Sequence, residues 1–198
     1  WRITLKDNVT FSNGEKMTAD KVIASLKRTA ETNDRAAWLK DAEYTAEGNV
    51  LTIRTKAPYA TLVNDLCDPY AVIVDVAGTK DFENAPICTG PFVMSSFEAD
   101  KHAVMTKNPK YWGGDVKVDE VEYTKIADFN TLAMALQGDE IDVALDLSPE
   151  TAETIAANDK FTVVKTPQTR TYQLYMNLDK LTDPAVRQAI MYGVDKKT

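Results

Sequence analysis

Within its first thirty residues the chain changes hydrophobic period, and this switch constrains the fold more than any other feature. Trp1, Ile3 and Leu5 alternate with Arg2, Thr4 and Lys6, the two-residue period of a strand with one apolar face. A turn is expected at Ser12-Asn13-Gly14, because Asn-Gly accepts the positive φ angles of a tight reversal. Thr18 then occupies a helix N-cap position, with Asp20 in the first turn where the helix dipole favours an acid. Val22, Ile23, Leu26 and Ala30 follow at helical spacing. A chain that changes period this early is neither all-α nor all-β.

The rest of the sequence repeats the mixture. A short helical stretch is expected over 35–39, a strand around Leu51 and Ile53 that ends before Pro58, and a short helix over 59–66. Residues 72–74 form a short apolar run, and 79–86 read as a polar loop. Beyond Cys88, the alternation predicts strands at 90–95, 102–107, 118–126, 140–145, 161–165 and 171–177. Helical stripes predict helices at 128–137, 149–157 and 184–194. Strands alternating with helices indicate an α/β fold with a mixed sheet. The irregular, Pro-bearing stretch before Cys88 suggests a boundary near residue 87, giving units 1–86 and 87–198.

Charge and motif content exclude several functions. A net charge of -7 lacks the clustered Lys and Arg that a phosphate backbone demands, so nucleic acid is not an expected partner. No apolar run approaches the roughly 20 residues of a membrane-spanning helix. The chain opens inside a strand with no signal-peptide pattern, and is expected to be a piece of something longer. Neither a phosphate-cradling glycine loop nor a G-x-S-x-G or H-E-x-x-H pattern occurs. The sole histidine, His102, falls in an expected strand beside Val104 and reads as an ordinary strand residue. The acidic run Asp139-Glu140-Ile141-Asp142 lacks the ligand spacing and central glycine of a calcium loop. No catalytic residue, metal ligand or cofactor is expected. Cys67 and Cys88 fit no zinc or redox spacing, and the residues alone leave two readings open: free thiols or one disulfide.

Several short motifs are familiar in combination. The segment from Thr4-Leu5-Lys6-Asp7 through Phe11-Ser12-Asn13-Gly14-Glu15 to Thr18-Ala19-Asp20-Lys21-Val22 resembles the family 5 extracellular solute-binding proteins. These are the oligopeptide-, dipeptide- and nickel-binding components of ABC importers. Thr89-Gly90-Pro91-Phe92, Asn108-Pro109-Lys110-Tyr111-Trp112, Gly138-Asp139-Glu140-Ile141-Asp142 and Asp183-Pro184-Ala185-Val186-Arg187-Gln188-Ala189-Ile190 fit the same family in the same order. Each motif has a structural use of its own, as a turn or a capped helix, so together they mark the family and not its binding site.

The resemblance implies part of a type II periplasmic-binding-protein-like lobe. Residues 1–86 would be a small accessory subdomain and 87–198 the ligand-facing core, with the second lobe absent. It implies an extracytoplasmic protein, in the periplasm or lipid-anchored at the cell surface. Such a protein would deliver a small peptide or metal chelate to ABC permease subunits. In that compartment a Cys67–Cys88 disulfide is expected. Asp34-Arg35-Ala36-Ala37-Trp38-Leu39 looks most like the nickel-binding branch, where an arginine and a tryptophan in this spacing hold an anionic chelate. The plainer alternative for Arg35 and Trp38 is a surface ion pair and a core aromatic. Asp68 departs from the branch, which carries a second pocket arginine near that position. In peptide-binding relatives the segment 171–177 approaches the ligand, which makes Tyr172 and Asn177 the other candidates. A sensor or chaperone on the same fold is the alternative function, and an acid-base hydrolase a more remote one.

Overall fold

Strand β3 (Val50–Arg54) organises the first part of the chain because both its inward side chains, Leu51 and Ile53, are apolar and β-compatible. The computed structural model describes residues 1–167 and 173–195. β1 (Arg2–Thr4) and β2 (Glu43–Glu47) flank β3 on either side, both antiparallel, with Ile3 opposite Leu51 and Tyr44 opposite Ile53. Helix α1 (Ala19–Thr32) begins at Thr18, whose hydroxyl accepts from the Lys21 N–H at 3.4 Å. Its stripe of Ala19, Val22, Leu26 and Ala30 packs with Leu51 and Ile53 into one core cluster. The Asn13-Gly14 turn forms as expected: Gly14 takes φ +92° and Asn13 Oδ1 accepts from the Glu15 N–H at 3.0 Å.

The expected helix over 59–66 contracts to α2 (Leu62–Asp65), followed by a 3-10 turn at Pro69–Ala71. A second antiparallel sheet, in the order β4 (Phe92–Glu98), β5 (His102–Lys107), β6 (Glu120–Thr124), completes the first unit.

Contacts divide the chain into Trp1–Asp128 and Phe129–Thr198, so the boundary expected near residue 87 is corrected to 128. Hydrogen bonding explains the correction. The Ser12 N–H donates to Cys88 O at 2.9 Å, and Lys110 Nζ donates to Asn13 O at 3.0 Å. Buried Asn108 donates from Nδ2 to Gly90 O at 2.8 Å while its own N–H donates to Pro91 O at 2.8 Å. The Thr89–Phe92 and Asn108–Trp112 motifs are thus two halves of one backbone junction. The proline-bearing stretch is stitched down; it is not a linker.

The second unit contains α3 (Phe129–Gln137), α4 (Pro149–Ala156) and α5 (Pro184–Gly193). Ser148 caps α4 by accepting from the Thr151 N–H at 3.2 Å, and Asp183 caps α5 through the Ala185 N–H at 2.8 Å. α3 packs against α4 through Ala135, Leu136, Ala152 and Ile155, whereas α5 buries no residue. The strands expected at 140–145 and 161–165 do not form, since neither segment has a ladder partner among the described residues. Both sheets are antiparallel, so the parallel component of the expected mixed sheet is not seen among those residues either.

The Cys67–Cys88 disulfide is also corrected: both thiols are free. Cys67 is exposed in the turn after α2, with its N–H donating to Asn64 O. Cys88 is held by its own backbone in a bridge with Val74, and burial pushes its thiol pKa up. Each cysteine is fixed by a different set of main-chain bonds.

Candidate functional site

The segment Asp34–Asp41 folds as a 3-10 helix, and this geometry decides what its side chains can do. Asn33 caps it, accepting from the Arg35 N–H at 3.0 Å. With three residues per turn, positions i and i+3 eclipse one another. Ala36 and Leu39 therefore share one face, and both are buried. Arg35 and Trp38 share the next face. Tyr44 secures the far end by donating from its hydroxyl to Leu39 O at 2.9 Å, and burial pushes its pKa up to about 12.

Arg35 is exposed and has no carboxylate partner among the described residues, so the surface ion pair is not formed there. Trp38 is half-buried at the edge of the core cluster and meets Tyr59 with ring centroids 5.2 Å apart and planes tilted by 59°. Its indole N–H is shielded and has no acceptor. What remains open to a ligand is part of the ring surface. Asp68 lies exposed at the start of the neighbouring 3-10 turn, which packs against this helix.

The other two candidates fare differently. Tyr172 lies outside the described residues. Asn177 belongs to the second unit and is exposed, and 173–177 has no ladder partner among the described residues. Its Oδ1 accepts from the N–H groups of Asp179 and Lys180 at 3.0 and 3.2 Å, which commits the side-chain oxygen to a local turn.

Two open grooves of the first unit are lined by neither Arg35 nor Trp38. One, of about 430 Å³, is lined by Trp1, Arg54, Lys56, Pro58 and Tyr59. The other, of about 410 Å³, lies beside Asn13, Gly78 and Lys80. Beneath the second sits a charged cluster that the sequence did not advertise. Asp75 is 2% exposed, and its Oδ2 accepts from Asn13 Nδ2 at 2.9 Å and from Lys21 Nζ at 3.4 Å. Burial pushes the Asp75 pKa up, but the bonds from Asn13 and Lys21, the Lys21 charge and the Gly78 N–H outweigh it, leaving it below its ordinary value.

One arrangement has the outline of a hydrolytic triad. Ser96 Oγ lies 3.1 Å from His102 Nε2, and Glu98 Oε2 lies 3.9 Å from His102 Nδ1. The carboxylate is beyond hydrogen-bond reach, and both Ser96 and Glu98 are exposed to solvent. Solvated strand residues account for the arrangement.

A family model described as bacterial extracellular solute-binding proteins, family 5 Middle, matches residues 1–198. The chain belongs to this family. It is 30% identical over 197 residues to the nickel-binding protein NikA of Staphylococcus aureus, covering 98% of this chain and 40% of that protein. It is 27% identical over 208 residues to the glutathione-binding protein GsiB of Pectobacterium atrosepticum, again covering 40% of the relative. The crystal structure of a nickel ABC transporter protein from Bacillus halodurans matches 100% of this chain and 42% of its own, with 34% identity and a TM-score of 0.80. The family fold is therefore that of a type II periplasmic-binding-protein-like lobe, as expected. The chain spans about 40% of the length of these curated relatives.

Proposed function

We propose that this chain is part of the first lobe of an ABC-importer solute-binding protein. That protein captures a carboxylate-bearing metal chelate or short peptide outside the cytoplasmic membrane and presents it to permease subunits. The observation that carries the reading is the eclipsed pair on the 3-10 helix: an unpaired guanidinium beside a half-exposed indole. A guanidinium fork suits a carboxylate, and an aromatic face packs on the apolar body of a ligand or chelator. The relatives with nickel and glutathione in their names both support a small anionic ligand. Binding with no chemical conversion fits a chain whose one triad-like arrangement is solvated and incomplete.

Asp68 beside the same helix tempers the positive charge and selects against ligands with several free carboxylates at that end. Tyr172 and Asn177 remain candidates for the ligand-facing set. If Asn177 takes part, its amide nitrogen does so, because its oxygen is held in the turn.

Calorimetry tests the reading. The whole protein should bind nickel–histidine or a di- or tripeptide saturably, and Arg35→Ala should weaken that binding at least about tenfold, roughly 1.4 kcal/mol. The 198-residue chain alone should show no saturable heat below millimolar ligand, since one lobe supplies about half the contacts of a closed site. A one-to-one micromolar isotherm on the chain alone would mean that its site is complete without a second lobe.

A further inference from the structure

The buried Trp38 N–H is a donor without a protein oxygen or nitrogen to receive it. A shielded donor of this kind costs free energy unless something weakly basic faces it. The neighbour that the structure provides is the Tyr59 ring, at 5.2 Å between centroids and tilted by 59°, an arrangement that brings the edge of one ring toward the face of the other. An aromatic face is a recognised weak acceptor for N–H.

Tyr59 is itself held in place. It stands at the start of the segment leading into α2, and Leu62 in that helix is fully buried. At the phenol end, the neighbouring Asp65 carboxylate pushes the Tyr59 pKa up. Asp65 is in turn fixed by Thr61, whose hydroxyl donates to it at 2.9 Å. A chain of contacts thus runs from α2 through Asp65 and Tyr59 to the indole that shares a face with Arg35.

We infer that Tyr59 is a positioning residue for the ligand face, its ring receiving the Trp38 N–H and fixing the indole beside Arg35. The inference rests on the proposed binding role of Arg35 and Trp38, and it assigns Tyr59 no contact with the ligand. A phenylalanine preserves the ring and an aliphatic residue removes it, which gives the test its contrast. The Trp38 indole N–H should resonate upfield in the 198-residue chain, stay there in Tyr59→Phe, and move downfield in Tyr59→Leu. In the whole protein, Tyr59→Leu should weaken nickel–histidine binding about threefold to tenfold, the affinity equivalent of losing one aromatic pair. Tyr59→Phe should leave it near wild type. Tyr59→Met, which likewise removes the ring, should move the same resonance downfield and serves if Tyr59→Leu does not fold. An unmoved N–H signal in both variants overturns the inference. A moved signal with unchanged affinity overturns the ligand role of Tyr59. If the wild-type whole protein takes neither nickel–histidine nor peptides, the proposed function fails, and the N–H signal alone still decides whether Tyr59 holds Trp38.

Discussion

Leu51 and Ile53 in the first unit are 2% and 0% exposed, whereas Val143 and Leu145 in the second, spaced in the same alternating way, are 70% and 64% exposed. The two pairs read alike in the sequence. They differ in whether a neighbouring strand and a covering helix exist to bury them. Leu51 and Ile53 have β1 and β2 beside them and α1 in their cluster. Val143 and Leu145 have no ladder partner among the described residues. Alternation fixes which side of a strand is apolar, and burial additionally requires the partner.

The sharpest way to break this comparison is to truncate one residue from each pair. Leu51→Ala should destabilise the first unit by about 3 kcal/mol, because it deletes buried methylenes from a packed cluster. Val143→Ala should change stability by less than about 0.5 kcal/mol, as exposed substitutions do. Denaturant unfolding of the two variants provides the measurement. Equal losses would mean that Val143 is covered in solution and that the two units do not differ in packing.

Asp75 sharpens the comparison from the polar side, since no described ion pair in the second unit is as buried. Asp75→Asn should cost about 2 kcal/mol near neutral pH, by removing a charge-assisted bond to Lys21 while keeping the shape. The folded pKa of Asp75 is below its ordinary value, so its stabilising contribution is complete above the unfolded pKa of about 4. It is lost as pH falls through the folded value. Wild-type stability should therefore decline below about pH 4 more steeply than that of Asp75→Asn. Parallel acid titrations of the two proteins would disprove the role of the carboxylate.

Where local chemistry is sufficient, the sequence was legible. α1 carries its own cap and stripe, and β5 formed over the expected residues 102–107. α4 and α5 began at the expected prolines behind Ser148 and Asp183. β2 was missed because Tyr44 and Ala46 are its only apolar residues among Glu43, Thr45 and Glu47, too few to stand out. The boundary near 87 failed because proline and glycine mark irregular backbone without saying whether that backbone is tied down. Arg35 and Trp38 stand out through the resemblance to the nickel-binding branch. The reason their spacing works, the three-residue repeat of a 3-10 helix, appeared only in the structure. Tyr59 and Asp75 had no local signal, since each matters through a residue at least 20 positions away.

Serine hydroxyls offer a finer comparison. Ser25 is fully buried in α1, donating from Oγ to Val72 O at 3.2 Å and accepting from the Val74 N–H at 3.0 Å. Ser25→Ala leaves both groups unpaired inside the first unit and should cost about 2 kcal/mol. Ser148→Ala removes only a cap at a helix start in the second unit and should cost about 1 kcal/mol. Hydrogen exchange distinguishes them further. Ser25→Ala should lower protection across the first unit, while Ser148→Ala should affect the first turn of α4 alone. Loss of protection across both units in either variant would show that they unfold as one.

The smallest effect belongs to the cysteines, which compare surface with interior inside the first unit. Cys67 is exposed and makes no side-chain hydrogen bond, so Cys67→Ser should change stability by less than about 0.5 kcal/mol. Cys88 is half-buried with its thiol pKa raised, so less of it is thiolate at neutral pH. In native protein a thiol reagent should modify Cys67 quickly and Cys88 slowly. In unreduced, denatured protein both should react, because neither is bonded to the other. A titration that finds no free thiol would restore the disulfide suggested by an oxidising compartment. Such a bond would require the Cα atoms of Cys67 and Cys88 to lie within about 7 Å of each other. Equal native reaction rates would instead show that the Val74–Cys88 bridge opens readily and that Cys88 is shielded only transiently.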